Sequence, residues 1–345
     1  IPNDQKDTLV DQILGIETEQ NSISDPETIG TLSQSHVFEL EPISRIPIPG
    51  LRQRTRAFIK VQDGCNNACT FCITTLARGE AHSTPTRKIL QNIQAALNGG
   101  VKEIILTGVH LGSWGQDFGL HLHDLIKLIL KETDTPRLRL SSIEPWDLNE
   151  DFFSLWEDKR LCPHIHLPLQ AGSSSTLKRM LRKTTPTSFK ELTQFARKII
   201  PNIAITTDLI AGFPGETDSE FEETLSLVKL LNFAGGHVFS YSARPGTPAA
   251  RIKDQIPLPI RKERNHQLQS VLADSSLKYR TTFIGQVLPV LWEASAIRNE
   301  LGWQIEGLTG NYIRVKANSP ELRWNQIDMV KLFEPTGDGI YGEIV

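Results

Sequence analysis

The 345-residue chain has little of several things, and each shortage closes a line of explanation. Its 4 cysteines are too few for a disulfide-built fold. Three of them fall within one eight-residue stretch, an odd clustered set that disulfide pairing explains poorly and that points to a reducing compartment. There is no surplus of positive charge: 37 Lys and Arg against 40 Asp and Glu leave a net charge of −3. A uniformly basic nucleic-acid binder is excluded, and any RNA contact falls to local patches. No apolar run approaches the ~20 residues of a membrane span and no secretory signal is visible, so the expectation is a soluble, cytoplasmic protein. Internal repeats and low-complexity tracts are missing too. The chain begins with Ile1 rather than Met, which reads as a processed, cut or incomplete product.

Length is not lacking, since 345 residues suffice for two domains with real cores. Residues 1–14 carry Ile1, Leu9, Val10, Ile13 and Leu14 at helical spacing, closed by Gly15. Residues 16–50 are polar, with Pro26, Pro42, Pro47 and Pro49, and read as an extended linker. From residue 55 short apolar runs alternate with amphipathic segments, the pattern of βα units around a parallel sheet. The pattern predicts strands at 58–62, 103–107, 137–141, 164–168, 204–210 and 237–241. Helices are predicted at 87–98, 122–132, 174–182, 188–200 and 218–232, the last opened by a capping box of Thr217 and Glu220. Six units in this length fall short of a complete eight-fold barrel, so the fold class expected is α/β, a partial (βα)6 barrel. A helix at 260–283 leads out of it. Beyond that the apolar period becomes two, with short strands at 287–292, 303–307, 312–316 and 342–345, which suggests a small β-barrel.

The chemistry concentrates in Cys65-Asn66-Asn67-Ala68-Cys69-Thr70-Phe71-Cys72, directly after the first predicted strand. Soft thiolates at this spacing select an iron–sulfur cluster, zinc or copper(I). A zinc knuckle with His82 as fourth ligand is one reading. A [4Fe–4S] cluster with one iron open to a small chelator is the other. The fourth cysteine, Cys162, between Leu161 and Pro163, reads as a small buried filler. Further motifs follow the later strands: a glycine-rich loop at 107–115, the polar turn 141–145, His164 and His166 on one strand face, the 208–216 turn with its paired glycines, and the 239–248 segment. Basic clusters stand at Arg52, Arg54 and Arg56, at Lys178, Arg179, Arg182 and Lys183, and at Arg261, Lys262 and Arg264. Each offers phosphate contacts or a solvated face. From Gln286 to Val345 there are five Lys and Arg against eight Asp and Glu, which suits RNA poorly. Trp292, Trp303, Tyr312 and Trp324 are there either to stack on bases or to fill a small core.

The cysteine spacing, with Phe71 before the last thiol, resembles the radical S-adenosylmethionine (SAM) enzymes. The run 55–64 ahead of it and Ala77-Arg78-Gly79 behind it resemble the methylthiotransferases that modify tRNA. Leu106-Thr107-Gly108-Val109-His110-Leu111-Gly112 is similar to the subgroup acting on N6-threonylcarbamoyladenosine at position 37 of tRNA. The resemblance runs from about residue 51 to the end. It implies a radical SAM barrel over 51–283 and an RNA-binding TRAM barrel over 284–345, with 1–50 as remnant and linker. It implies a [4Fe–4S] cluster on Cys65, Cys69 and Cys72, with SAM chelating the open iron and split by one electron to a 5′-deoxyadenosyl radical. SAM contacts are implied at Phe71, Thr107, Gly108, Ser142, Glu144, Gln170, Arg182, Ile210 and Gly212. Arg182 is expected on a helix, pairing with the SAM carboxylate, and His166 is expected to line the barrel by hydrogen bonds. The 239–248 segment is expected to cap the barrel from its bottom to the substrate side, with Arg244 as the substrate contact. No catalytic residue is assigned. Implied partners are the tRNA anticodon loop and an electron donor, with neither membrane nor disulfide partner.

In the family a segment like Pro2–Lys6 ends an N-terminal domain with three more cysteines and a second [4Fe–4S] cluster. Those ligands are absent from this sequence, so the expectation is a chain that cleaves SAM and lacks the sulfur-inserting step. The rival targets are isopentenyladenosine-37 of tRNA and an aspartate of a ribosomal protein. A rival of another class is a zinc-containing RNA-binding protein.

Overall fold

The structure is a computed structural model, and it describes residues 55–300 and 302–345. The expected N-terminal helix and linker, with Arg52 and Arg54, lie outside the described residues. Six strands run parallel: β1 (Arg56–Asp63), β3 (Glu103–Gly108), β4 (Arg137–Leu140), β5 (His164–His166), β6 (Ala204–Ala211) and β7 (Gly235–Ser240). A two-residue β2 (His82–Ser83) adds antiparallel to the end of β1. The order β1-β3-β4 continues into β5-β6-β7 through the bridge between Ser142 and His166. No pairing between β1 and β7 closes the ring among the described residues, so the expected half-barrel forms with a lateral gap.

The helices that cover the outside are α2 (Thr86–Asn98), α3 (Leu122–Glu132), α6 (Pro186–Ile199) and α7 (Asp218–Leu231). On α2 the buried residues Ile89, Ile93 and Ala96 recur at helical spacing and enter the main core with Ile59, Val61, Ile104 and Leu106 of the strands. The start of α7 bears out the capping box. Glu220 N–H donates to Thr217 Oγ1 at 3.2 Å, and Thr217 N–H donates to Glu220 Oε2 at 2.9 Å. Shorter helices are α1 (Thr74–Arg78), α4 (Glu150–Phe153) and α5 (Ser174–Arg179). The long α8 (Leu258–Thr281) buries Leu268 and Leu272 in the same core. No helix of the described residues is long and apolar enough to cross a membrane.

The C-terminal segment is a closed five-stranded barrel in the order β10-β12-β11-β8-β9. Its strands are β8 (Val287–Asn299), β9 (Gly302–Thr309), β10 (Arg314–Ser319), β11 (Ile327–Pro335) and β12 (Ile340–Ile344). The sequence pattern foresaw four of these and passed over β11. Its buried Val330 and Leu332 alternate with exposed Met329 and Phe333, so an apolar run hides the period of two. Trp292 fills the core, fully buried, its indole N–H donating to Asp328 at 2.8 Å, and is not free to stack on a base.

The small barrel docks at the end of the half-barrel where the strands begin. Arg56 pairs with Glu293 at 2.6 Å. Arg137 donates to the carbonyls of Leu308 and Pro289 at 2.9 and 2.6 Å. Asn325 donates to the Gly100 carbonyl at 2.8 Å. Beneath these contacts lies a buried ion pair, Arg139 to Glu103 at 2.7 Å.

Candidate active site

The opposite end of the half-barrel, where the strands finish, carries the cysteines. β1 delivers the chain into a loop that starts with Gly64 at φ +70°, a conformation that suits glycine. A Cβ there would stand 1.8 Å from the Glu80 carbonyl oxygen, because the two ends of the loop pass each other; Cys65 N–H donates to the Gly79 carbonyl at 3.1 Å. Asp63 holds the crossing, accepting from Gly64 N–H at 2.9 Å and pairing with Lys60 and Arg78 at 3.1 and 3.0 Å. Burial works against its charge, but these donors leave its carboxyl below the usual range. The middle of the loop is pinned by Thr70, whose N–H reaches the Met180 carbonyl at 3.1 Å and whose hydroxyl reaches the Arg179 carbonyl at 2.9 Å. Phe71 sets its ring edge-on to Phe213, 6.4 Å between centroids, against a small core of Ala171, Leu177, Met180 and Tyr241.

All three thiols are free, half-buried, and faced by donors. The Asn67 N–H points at Cys65 Sγ and the Thr74 N–H at Cys72 Sγ, each at 3.4 Å, while Arg182 Nη1 lies 3.7 Å from Cys69 Sγ. This is the setting a thiolate ligand needs. Burial pushes the Cys65 thiol up, but His110 and the Asn67 N–H outweigh it and bring it below the ordinary value. For Cys69 burial prevails over Arg182 and raises it. Among the described residues no three His, Cys, Asp or Glu side chains converge to hold a single ion, so His82 does not complete a zinc site with the cysteines. Its ring instead sits 3.3 Å from the Glu80 carbonyl. In a cubane each thiolate binds a different iron, so three cysteines of one loop need not converge on a single ion.

Two polar relays surround the thiols. His110, in the loop after β3, is fixed by its N–H on Gln62 Oε1 at 2.8 Å and by Nε2 on Asp147 at 2.7 Å, with Asn67 3.3 Å from Nδ1. Burial opposes its charge, but Asp147 and Cys65 push its pKa up to about 9. Gly112 makes room for this pair: a Cβ would come within 2.1 Å of Asp147 Oδ2. The second relay is Arg182, whose Nη1 and Nη2 donate to Glu144 at 3.0 and 2.5 Å, with Nη2 also on the Pro168 carbonyl at 2.8 Å. Its guanidinium lies 4.5 Å over the Trp146 ring.

Arg182 is not on a helix as expected. α5 stops at Arg179, and Leu181 takes φ +54°, which turns Arg182 inward to bury its charge against Glu144. Ser142 is exposed, and Gln170, at φ +69°, continues the edge of β5 by pairing its backbone with Asp208 and Ile210. Thr107 donates to the Ile59 carbonyl at 3.3 Å, and Gly108 lies close against Gln62. Gly212, at φ +70°, is capped by Glu216, itself buried on Arg264 at 2.7 Å. His166 meets the expectation of a hydrogen-bonded lining through Nδ1, 3.0 Å from Thr206 Oγ1, while its Nε2 lies 3.3 Å from Asp208 without a hydrogen bond.

The 239–248 segment does not lie at the bottom of the barrel. Ala249 N–H donates to the Thr70 carbonyl at 2.9 Å, and Gly246 faces Leu76 of α1, so the segment borders the cysteine loop. Arg244 is exposed there, and its side chain makes no hydrogen bond or ion pair among the described residues. The basic clusters are largely spent inside the molecule. Arg56, Arg179, Arg182 and Arg264 are in ion pairs, and Arg261 donates to the Tyr241 carbonyl. Lys178, Lys183 and Lys262 remain exposed. Sequence reasoning assigned no role to Gln62, Asn67, Trp146 and Asp147, and named His110 only as part of the loop after β3. The one legible signal for Asp147 was a carboxylate two residues beyond the polar turn after β4.

Residues 59–228 match the model of the radical SAM superfamily. The chain is 39% identical over 295 residues to a threonylcarbamoyladenosine tRNA methylthiotransferase of Thermotoga maritima, covering 85% of this chain and 68% of the relative. It is 35% identical over 320 residues to the protein of the same description in Bacillus subtilis, covering 90% and 70%. A tRNA-2-methylthio-N(6)-dimethylallyladenosine synthase of Caldicellulosiruptor saccharolyticus is 34% identical over 299 residues, covering 85% and 62%.

Proposed function

The chain belongs to the radical SAM methylthiotransferases, and from that premise we propose that it methylthiolates C2 of N6-threonylcarbamoyladenosine at position 37 of tRNA. The observation that carries the reading is the meeting of Cys65 and Cys69 with two separate relays, His110–Asp147 and Arg182–Glu144, where the strands end. The family's cofactors are a [4Fe–4S] cluster and SAM. Cys65, Cys69 and Cys72 would hold the cluster. Bound together, cluster and SAM supply one-electron cleavage of the sulfonium. The protein's own work is aiming and neutralising. His110, cationic beside Cys65, offsets thiolate charge, and Asp147 keeps its ring in place. Arg182 holds Glu144, whose partly exposed carboxylate is a partner of the kind the amino group of SAM requires, and the carboxylate of SAM would share the guanidinium with Glu144. The backbone of Thr107, Gly108, Ile210 and Gly212, with the side chains of Phe71, Ser142 and Gln170, would frame the rest of SAM, and Arg244 would meet the RNA.

The division of labour we assign is radical chemistry to 51–283 and a supporting barrel to 284–345. That barrel docks where the strands begin, so any tRNA it touches is remote from the target base. The relatives named for N6-dimethylallyladenosine favour a second reading, the same transfer to that nucleoside. Mass spectrometry of tRNA nucleosides from cells lacking the gene separates them. Loss of the 2-methylthio form of threonylcarbamoyladenosine supports the proposal, and loss of the dimethylallyl counterpart supports the second reading. If both survive, both fail. Arg182→Lys, which keeps charge but loses the two-pronged geometry, is expected to weaken SAM binding about tenfold or more while iron content stays at the parent level. Unchanged SAM affinity would remove Arg182 from the site.

A further inference from the structure

The lower part of the half-barrel is hollow. A cavity of about 370 Å³ runs along the inner faces of the strands, from the beginnings of β6 and β7 to Ser142 just past the end of β4, and is floored by the end of α8 and the turn from β9 to β10. It borders the lateral gap, where Phe58 on β1 and His237 on β7 are exposed, so it can be reached without passing the cysteines.

The charges around it do not balance. Arg139 is matched by Glu103, and Arg314 by Glu306 and Asp338 at 3.2 and 3.3 Å. Arg280 has no ion-pair partner among the described residues. It makes only long hydrogen bonds, to Ser276 Oγ at 3.4 Å and the Gly337 carbonyl at 3.3 Å, and its Nε has no acceptor. Burial draws its pKa down, with Asp338 offsetting only part of that. Two further nitrogens are unpartnered on side chains more than nine-tenths buried: Nη1 of Arg139 and Nδ1 of His164. The Ser141 hydroxyl is unpartnered as well. Buried polar groups in native proteins almost always find a partner, so this set describes what is missing from it. Water satisfies N–H donors but leaves the half-buried Arg280 guanidinium with no opposite charge in contact. The remaining walls are apolar or aromatic: Phe58, Ile105, Leu140, Ile313 and the Tyr312 ring, stacked on His164 at 4.8 Å.

We propose that this cavity binds a small molecule with one anionic oxygen group, a carboxylate or a phosphate, on an apolar body, with Arg280 as its charge partner. Arg280 sits at the end of α8, while the pocket's other rim reaches Ser142 and so adjoins the proposed SAM site; the anion site rests on Arg280 and stands whether or not the tRNA reading does. The two sources of the anion are told apart by probe.

Calorimetric titration of the whole chain with benzoate, benzamide and inorganic phosphate tests it. Saturable binding of benzoate, with benzamide at least about tenfold weaker, is expected for an organic acid, a difference of about 1.4 kcal/mol. Phosphate binding in its place assigns the site to a phosphate group. Arg280→Gln is expected to weaken the bound anion about tenfold and Arg280→Lys to restore part of it, with iron content unchanged in both. No saturable binding of either anion up to roughly 10 mM, a range weaker than the millimolar affinities that mark the low end of specific recognition, overturns the proposal. So does benzamide binding as well as benzoate, or an Arg280→Gln protein that binds like the parent.

Discussion

Neutralising Glu103 tests how the C-terminal barrel is held to the half-barrel. Glu103 opens β3 with its side chain fully buried, and its register partner on β4 is Arg137. Its carboxylate takes Arg139 Nε at 2.7 Å and Arg139 Nη2 at 3.3 Å, with Arg137 Nη1 at 3.7 Å. Those guanidiniums in turn hold the carbonyls of Leu308, Pro289 and Thr309. Glu103→Gln keeps the shape and removes the one charge that compensates two buried cations. Breaking a buried pair from one side costs about 3–5 kcal/mol, most of it the stranded charge. At roughly 2–4 °C per kcal/mol for a unit of this size, the melting temperature should fall by about 10 °C. Urea unfolding followed by tryptophan fluorescence measures it, because Trp292 reports on the docked barrel. The double variant Glu103→Leu with Arg139→Met should cost less than the two singles added, since it removes both charges of the pair. Burial alone would raise the Glu103 pKa, but Arg139, then Arg137 and Arg56, bring it below the ordinary value. A carboxylate lowered in the folded state adds stability above its unfolded pKa and loses it as pH falls through the folded one. The parent should therefore lose this contribution below about pH 4, and Glu103→Gln should show no such loss from this site. A cost under about 1 kcal/mol for Glu103→Gln would refute the reasoning, since that is the range of a solvated surface pair.

Two glycines in the cysteine loop have the same sign of φ and different surroundings, so their alanine variants separate strain from collision. Gly79→Ala meets nothing within 4 Å and should cost about 1–3 kcal/mol of backbone strain with iron content kept. Gly64→Ala drives a Cβ onto the Glu80 carbonyl, and iron content after anaerobic reconstitution should collapse; equal iron in both variants would show that the loop ends do not cross as described. At the start of α7, Thr217→Ala should cost about 1 kcal/mol in urea unfolding and Thr217→Ser almost nothing. Equal costs for the two would mean that the hydroxyl does not cap the helix.

What the sequence made legible was whatever repeats locally. The six parallel strands follow from short apolar runs, their helices from a period of 3.6, and the capping box at Thr217 from a spacing of three. The thiols could be read because their spacing is short and their chemistry narrow. What stayed illegible was every contact made between distant segments. Asn67 and His110 are 43 residues apart, and His110 and Asp147 are 37 apart, so no window shows that they meet beside Cys65. Arg182 was picked out by its likeness to a family position and misplaced on a helix. Nothing in Lys178-Arg179-Met180-Leu181 announces that Leu181 turns left-handed, and that single torsion decides whether the next guanidinium faces solvent or Glu144. The same cause explains the basic clusters. A run of arginines states that charge is present, whereas its use depends on which carboxylates the fold brings up. Arg264 finds Glu216 and Asp218 from 48 and 46 residues away, while Arg244 has no such neighbour among the described residues and stays exposed. Arg280 belongs with Arg244 in this respect and differs in being half-buried. A half-buried unmatched charge is the stronger pointer to a ligand, because solvent cannot stand in for the missing partner at the same cost.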